Sequence, residues 1–208
     1  MKNTILALIG LCALPFAASA QVQPPDDPVG KATAAYFAKT FTDLQAVADQ
    51  HPTKETFREA MKPLEEATKG FFGGSLIDTD FVIREVYHPR DFLARGFDLK
   101  KVKQLDHFWE LMRKNPTPQL SEPGHGSIVQ PRLIAMRYPV MKDGQLAAVV
   151  SFFVRTGAFL DAVGLGDAKG YRITCRGVLA EEDGKLGDNS KSVTVSLPAN
   201  EWLIEYVL

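Results

Sequence analysis

A chain of 208 residues with 45% hydrophobic residues holds enough apolar material for one well-filled domain. Its net charge of −1 at pH 7 excludes the basic footprint of a nucleic-acid-binding protein. Of its two cysteines only Cys175 lies beyond the leader described next, which excludes an internal disulfide and a paired-cysteine zinc site.

The first twenty residues have the layout of a bacterial export signal. Lys2 supplies a positive start, Ile5 to Phe16 an apolar stretch, and Ala18-Ser19-Ala20 a small-residue cleavage site, so the mature chain is expected to begin at Gln21. Cys12 invites a lipoprotein reading, but Leu11 before it is bulky where such signals take a small residue, so the Ala-Ser-Ala site fits better and lipidation is the minor alternative. No later stretch approaches the roughly 20 apolar residues of a spanning helix, so a periplasmic or secreted protein without membrane insertion is expected. The layout is then 1–20 signal peptide, 21–70 lead-in and helices, and 71–208 a single domain.

Three prolines and two aspartates make Gln21 to Pro28 a lead-in. Phe37, Phe41, Leu44 and Ala48 recur at spacings of four, three and four, which predicts a long helix over Val29 to Gln50 stopped by His51-Pro52. Thr53 is placed to cap a second helix with Phe57, Met61 and Leu64 on its buried face and Pro63 as a kink or last turn. Phe71 to Gly74 reads as a break, and Ser75 to Tyr87 as strand, best placed over Asp80 to Tyr87 and bounded by Pro89. Asp78 and Asp80 are turn carboxylates, since the glycine and later glutamate of a calcium loop are missing.

An amphipathic helix is predicted from about Leu99 to Lys114, and the loop Ser121 to Ser127 carries His125 between two glycines. The strongest local pattern is Leu133 to Arg155. Two apolar runs flank Lys142-Asp143-Gly144, where the glycine accepts the positive φ of a tight hairpin. Leu146 to Val154 is apolar on both faces, as in a central strand covered above and below, and Pro139 predicts a bulge or an unpaired position in the first strand. A short helix over Ala158 to Val163 ends at Gly164. A strand from Tyr171 to Ala180, a turn at Glu181 to Gly184, and a C-terminal hairpin of Val193 to Leu197 with Trp202 to Leu208 complete the chain. Helices grouped outside a mainly antiparallel sheet make the class α+β.

From about Ile77 onward this order resembles the Cache and CHASE families of extracytoplasmic sensor domains, in the PAS-like superfamily. The residues that carry the likeness are Val82 to Pro89 followed by Gly96 to Leu99, the hairpin of Leu133 to Val140 and Asp143-Gly144 with the strand to Phe153, then Phe159-Leu160, Val193 to Pro198 and Trp202-Leu203. Ala147 or Ala148 stands where those families carry a glycine. The resemblance implies a Cache-type antiparallel sheet flanked by helices, with a long N-terminal helix that makes a stalk or dimer contact. Such domains sit between membrane helices, whereas this sequence stops at Leu208 without one. Free-standing sensing through a partner, such as a membrane sensor protein, is therefore expected, with a homodimer through the N-terminal helix as a further expectation.

No nucleophile elbow, His-Glu-x-x-His or phosphate loop occurs, so an enzyme is not expected, and no cofactor or metal is implied. His88, His107 and His125 would converge if the resemblance held, but their spacing matches no metal motif, and exposed positions are favoured. Arg137 stands in an otherwise apolar strand. It either reaches solvent or an internal carboxylate, the favoured readings, or meets a small carboxylate or amino-acid-like ligand through its bidentate fork. Phe108, Trp109 and Tyr138 are read as core first, although aromatic walls also line small-ligand sites. Candidate ligand contacts are Arg137, Tyr138, Trp109, His107, His125, Ser151 and Phe153. A cavity reached by Arg137 favours a sensor, whereas a filled interior favours a ligand-free interaction module of the same fold, pairing through its N-terminal helix.

Overall fold

Asp27 starts the first helix: its side chain accepts a hydrogen bond from Gly30 N at 2.9 Å, and Pro28 occupies the first turn, where its missing N–H costs nothing. The computed structural model describes residues 26–88, 94–125 and 132–208, so the expected export signal and Gly126 and Ser127 of the 121–127 loop lie outside it. Helix α1 (Pro28–Ala48) buries Phe37, Phe41, Leu44 and Ala48, the stripe expected from spacing, and ends two residues early, ahead of His51 at φ 46°. Helix α2 (Phe57–Ala67) buries Phe57, Met61 and Leu64. It is not capped by the Thr53 side chain. The carbonyl of Thr53 accepts from Thr56 and Phe57, and Thr56 holds the cap position. Pro63 neither ends the helix nor lies in its final residues, since the helix runs on to Ala67.

Two further expectations are corrected. Phe71 to Gly74 is not a break but the start of strand β1 (Phe71–Ile77), which pairs with β2 (Ile83–Tyr87). Glycine is required there by close approach: a Cβ on Gly74 would lie 2.4 Å from Met61 Cε and 2.7 Å from the Ser151 carbonyl oxygen. Nor does one helix cover Leu99 to Lys114. Two single 3-10 turns, Leu99–Lys101 and Lys103–Leu105, precede α3 (Asp106–Lys114).

Strands β3 (Gln119–Leu120) and β4 (Gly124–His125) both pair with β5 (Arg132–Lys142), which turns through Asp143-Gly144 into β6 (Gln145–Arg155). Asp143 and Gly144 hold φ of 52° and 75°, a primed turn matched to strand twist. The bulge falls between Val140 and Met141, just beyond Pro139. The first sheet runs β2-β1-β6-β5-β3, which places β6 in the middle, as its two apolar faces required. Helix α4 (Thr156–Ala162) follows.

The remaining strands form a second sheet, ordered β8-β7-β10-β9. Here the expected strand from Tyr171 to Ala180 is divided. Strand β7 (Gly170–Cys175) turns at Arg176-Gly177, with φ of 50° and 77°, into β8 (Val178–Gly184), so Glu181 to Gly184 is strand and not turn. Strands β9 (Lys191–Leu197) and β10 (Asn200–Val207) form the expected C-terminal hairpin. Helix α1 lies against β5 and β6 of the first sheet and β9 of the second, so one core of Phe37, Phe152, Phe159, Ile173, Trp202 and Ile204 joins both sheets. Cys175 is buried in that core, and burial pushes its thiol pKa upward.

Candidate functional site

Period two along β5 and β6 assigns the faces of the first sheet. Ile134, Met136, Val150, Phe152 and Val154 join the core that also contains α1, while Ala135, Arg137, Ser151 and Phe153 line a cavity on the opposite side. The cavity, of about 640 Å³, lies in the range of small-molecule sites. Its other walls come from Phe108 and Trp109 of α3, the 3-10 turns, the end of β2, and Ser121 to Gly124.

Strand register aligns four buried polar residues across this face. Ser75 pairs with Ser151, Ser151 with Arg137, and Arg137 with Gln119, a row through β1, β6, β5 and β3. Gln119 is the anchored end, since its Nε2 donates to the Phe108 carbonyl at 3.0 Å and ties β3 to α3.

Arg137 is only 5% exposed, and its guanidinium sits 4.6 Å from the Phe108 ring centre and 5.1 Å from that of Trp109. Among the described residues Arg137 Nη1, Ser75 Oγ and Trp109 Nε1 have no hydrogen-bond partner. Burial lowers the Arg137 pKa to about 10, opposed by the Glu122 carboxylate, so the side chain still carries its charge at neutral pH. A buried cation with an unmade hydrogen bond is costly, and neither favoured expectation for it, solvent or an internal carboxylate, is met.

Glu122 also lines the cavity, but it is ion-paired with Arg176 from the β7–β8 turn. Arg176 in turn lies 5.2 Å from the Phe108 ring centre, so Phe108 touches both guanidinium groups. The second sheet thereby reaches the rim of a cavity built on the first.

Of the residues singled out in the sequence, Arg137, Trp109, Ser151 and Phe153 converge on the cavity. Tyr138 does not. As the next residue on the strand it faces the other way and packs, half-buried, against the core that holds α1. His107 is exposed on α3 with its ring edge toward Phe108, outside the cavity. The backbone of His125 pairs with Arg132 in β4, and its side chain lies outside the described residues. His88 lines the cavity and stacks on Phe72 at 4.6 Å, so His88 and His107 do not converge there. No group able to hold a metal occurs among the described residues. Sequence reasoning missed Ser75, Phe72 and Glu122 as lining residues and placed Phe108 in the core. Only cross-strand register brings Ser75 to Arg137, and no local pattern encodes it.

No family model matches the chain, and no curated protein sequence matches it. Solved structures do. The ligand-binding domain of the Pseudomonas aeruginosa amino-acid chemoreceptor PctC, in complex with GABA, is 15% identical with a TM-score of 0.60 over 87% of this chain and 94% of that one. The ligand-binding domain of the Pseudomonas fluorescens chemoreceptor CtaA, in complex with L-serine, is 16% identical with a TM-score of 0.60 over 86% and 91%. An extracellular ligand-binding receptor from Desulfohalobium retbaense gives 16% and 0.63 over 87% of this chain, which spans 39% of that receptor. The chain therefore has the α+β fold of chemoreceptor ligand-binding domains, the Cache-type sensor architecture that the hairpin and its flanking motifs resemble.

Proposed function

We propose that the protein is an exported, free-standing sensing module that binds a small carboxylate on Arg137 and passes occupancy to a partner, a membrane sensor protein. The observation that carries this reading is the charged, buried guanidinium of a cavity-lining residue, packed over the Phe108 and Trp109 rings, with Nη1 unsatisfied among the described residues. A carboxylate is the planar acceptor that such a fork takes bidentately, and it would supply the missing partner and the missing counter-charge together. The N-terminal pattern supports export, and the similar domains, being ligand-binding domains rather than enzymes, support binding without turnover. Self-pairing through α1 belongs to the same proposal, since Ala35, Ala38, Thr42 and Ala46 are exposed along one side of that helix. An open cavity weighs against the ligand-free interaction module.

The test is a thermal-shift screen of the purified protein against amino acids, organic acids, purines and divalent metals, with Arg137→Ala alongside. A carboxylate at about 100 times its dissociation constant stabilises by roughly 2.7 kcal/mol, or about 5–10 °C for a domain of this size. The expected outcome is a carboxylate-specific shift that Arg137→Ala abolishes. A shift that survives the substitution would remove Arg137 from the site.

A further inference from the structure

We propose that the cavity selects carboxylates with an apolar body and no ammonium group, a class distinct from the GABA and L-serine held by the similar chemoreceptor domains. The inference rests on the carboxylate reading of Arg137 and adds what the rest of the cavity accepts.

An amino acid brings two opposite charges, and burying its ammonium requires an acceptor, preferably anionic. Among the described residues the cavity is lined by a single carboxylate, Glu122, and Arg176 already engages it. The unpartnered polar atoms of the lining point the same way in their chemistry. Arg137 Nη1 and Trp109 Nε1 can only donate, and Ser75 Oγ is a hydroxyl that does either. The unpartnered acceptor nearest in register, Gln119 Oε1, belongs to a residue that does not line the cavity. Lys101, at the wall, adds a second cation. Beside these described residues an ammonium would lose water, meet cations and find the one carboxylate among them occupied, whereas a second acceptor would find donors. Selection thus works by rejection as well as by attraction. Phe72, Leu105, Phe108, Leu133 and Phe153 supply apolar and aromatic walls for the body of the ligand.

Matched pairs titrated calorimetrically into the protein test this: 3-phenylpropanoate against L-phenylalanine, 4-methylpentanoate against L-leucine, and butanoate against GABA, with phenethylamine as the ammonium-only control. At least one deamino acid is expected to bind, and at least 10-fold more tightly than its ammonium-bearing counterpart, with phenethylamine silent. Glu122→Gln is expected to leave the ratio of 3-phenylpropanoate to L-phenylalanine affinity within 2-fold, because Glu122 is committed to Arg176 and loosening that pair affects both ligands alike. Amino acids that bind as well as their deamino partners, or a selective loss of L-phenylalanine in Glu122→Gln, would overturn the inference and leave the carboxylate reading standing. Binding of phenethylamine alone, or of no member of any pair, would overturn both.

Discussion

Arg137 costs the ligand-free protein stability. Burial that lowers its pKa to about 10 costs on the order of 3 kcal/mol. Contacts with two aromatic rings return about 1 kcal/mol each. Replacing the cation by an apolar side chain of similar length should therefore leave a more stable protein. Arg137→Met is expected to gain about 1 kcal/mol, read as a rise of about 2–4 °C in the ligand-free thermal midpoint, and to lose every carboxylate-induced shift. A lower midpoint would mean that the ring contacts outweigh desolvation. The neighbouring residue shows what was legible at this scale. Arg137 and Tyr138 were both placed at the site, yet successive strand residues face opposite ways, and the sequence already held that information. Ser75 is different, because its place beside Ser151 depends on which strands pair and in what register.

At the scale of elements, hairpins were legible where apolar alternation and turn chemistry agreed. Val193 to Leu197 with Trp202 to Val207 and the β5–β6 pair are the cases. The β7–β8 turn was misplaced because β8 is an exposed edge strand with Val178, Leu179, Glu182 and Asp183 in solvent. A strand without a buried face leaves no alternation to read, and its acidic run imitates a loop. Helix α2 carries the opposite mismatch, a proline in its interior. Pro63 is exposed, so its replacement removes no core packing, and an alanine would supply the N–H that position lacks. Pro63→Ala is expected to stabilise by about 2 kcal/mol, the helix gain of roughly 3 less the added freedom of the unfolded chain. The urea midpoint should rise with the slope of the transition unchanged.

For the whole molecule, α1 and the C-terminal strand hold the two sheets in one core. Tyr206 of β10 donates to Asp27 at 2.6 Å, and the same carboxylate caps α1 through Gly30 N. Burial and that hydrogen bond raise the Tyr206 pKa to about 12, and burial raises that of Tyr36 to about 12 as well. Both are raised above the ordinary phenol value of 10, so the stability they contribute is complete below pH 10 and is lost as pH rises through 12. Urea midpoints are expected to fall between pH 10 and 12. In Tyr206→Phe the fall should be shallower, from a starting stability about 1–2 kcal/mol lower at pH 8. An equal fall in both proteins would remove Tyr206 from the account. The division into two sheets joined through one helix was not legible, because strand order in a sheet is set by pairings between distant residues.

Ser121 to Gly124 form one rim of the cavity, and the segment they make with Gln119 and Leu120 before them is held from two sides. Along one edge it pairs with β5. Along the other, Leu120 N donates to the Pro198 carbonyl at 2.8 Å, Asn200 Nδ2 to the Leu120 carbonyl at 3.0 Å, and Glu122 is ion-paired with Arg176. Beside it, Arg132 of β5 is paired with Glu181. Both ion pairs are partly exposed, so raising salt from 0.1 M to 1 M, which shortens the screening length from about 10 Å to about 3 Å, weakens them while leaving buried Arg137 nearly untouched. If Arg137 holds a carboxylate as proposed, ionic strength is then expected to control its residence time. A bound carboxylate should dissociate several-fold faster at 1 M than at 0.1 M salt by stopped-flow displacement, and Glu122→Gln should flatten that dependence by releasing one latch in advance.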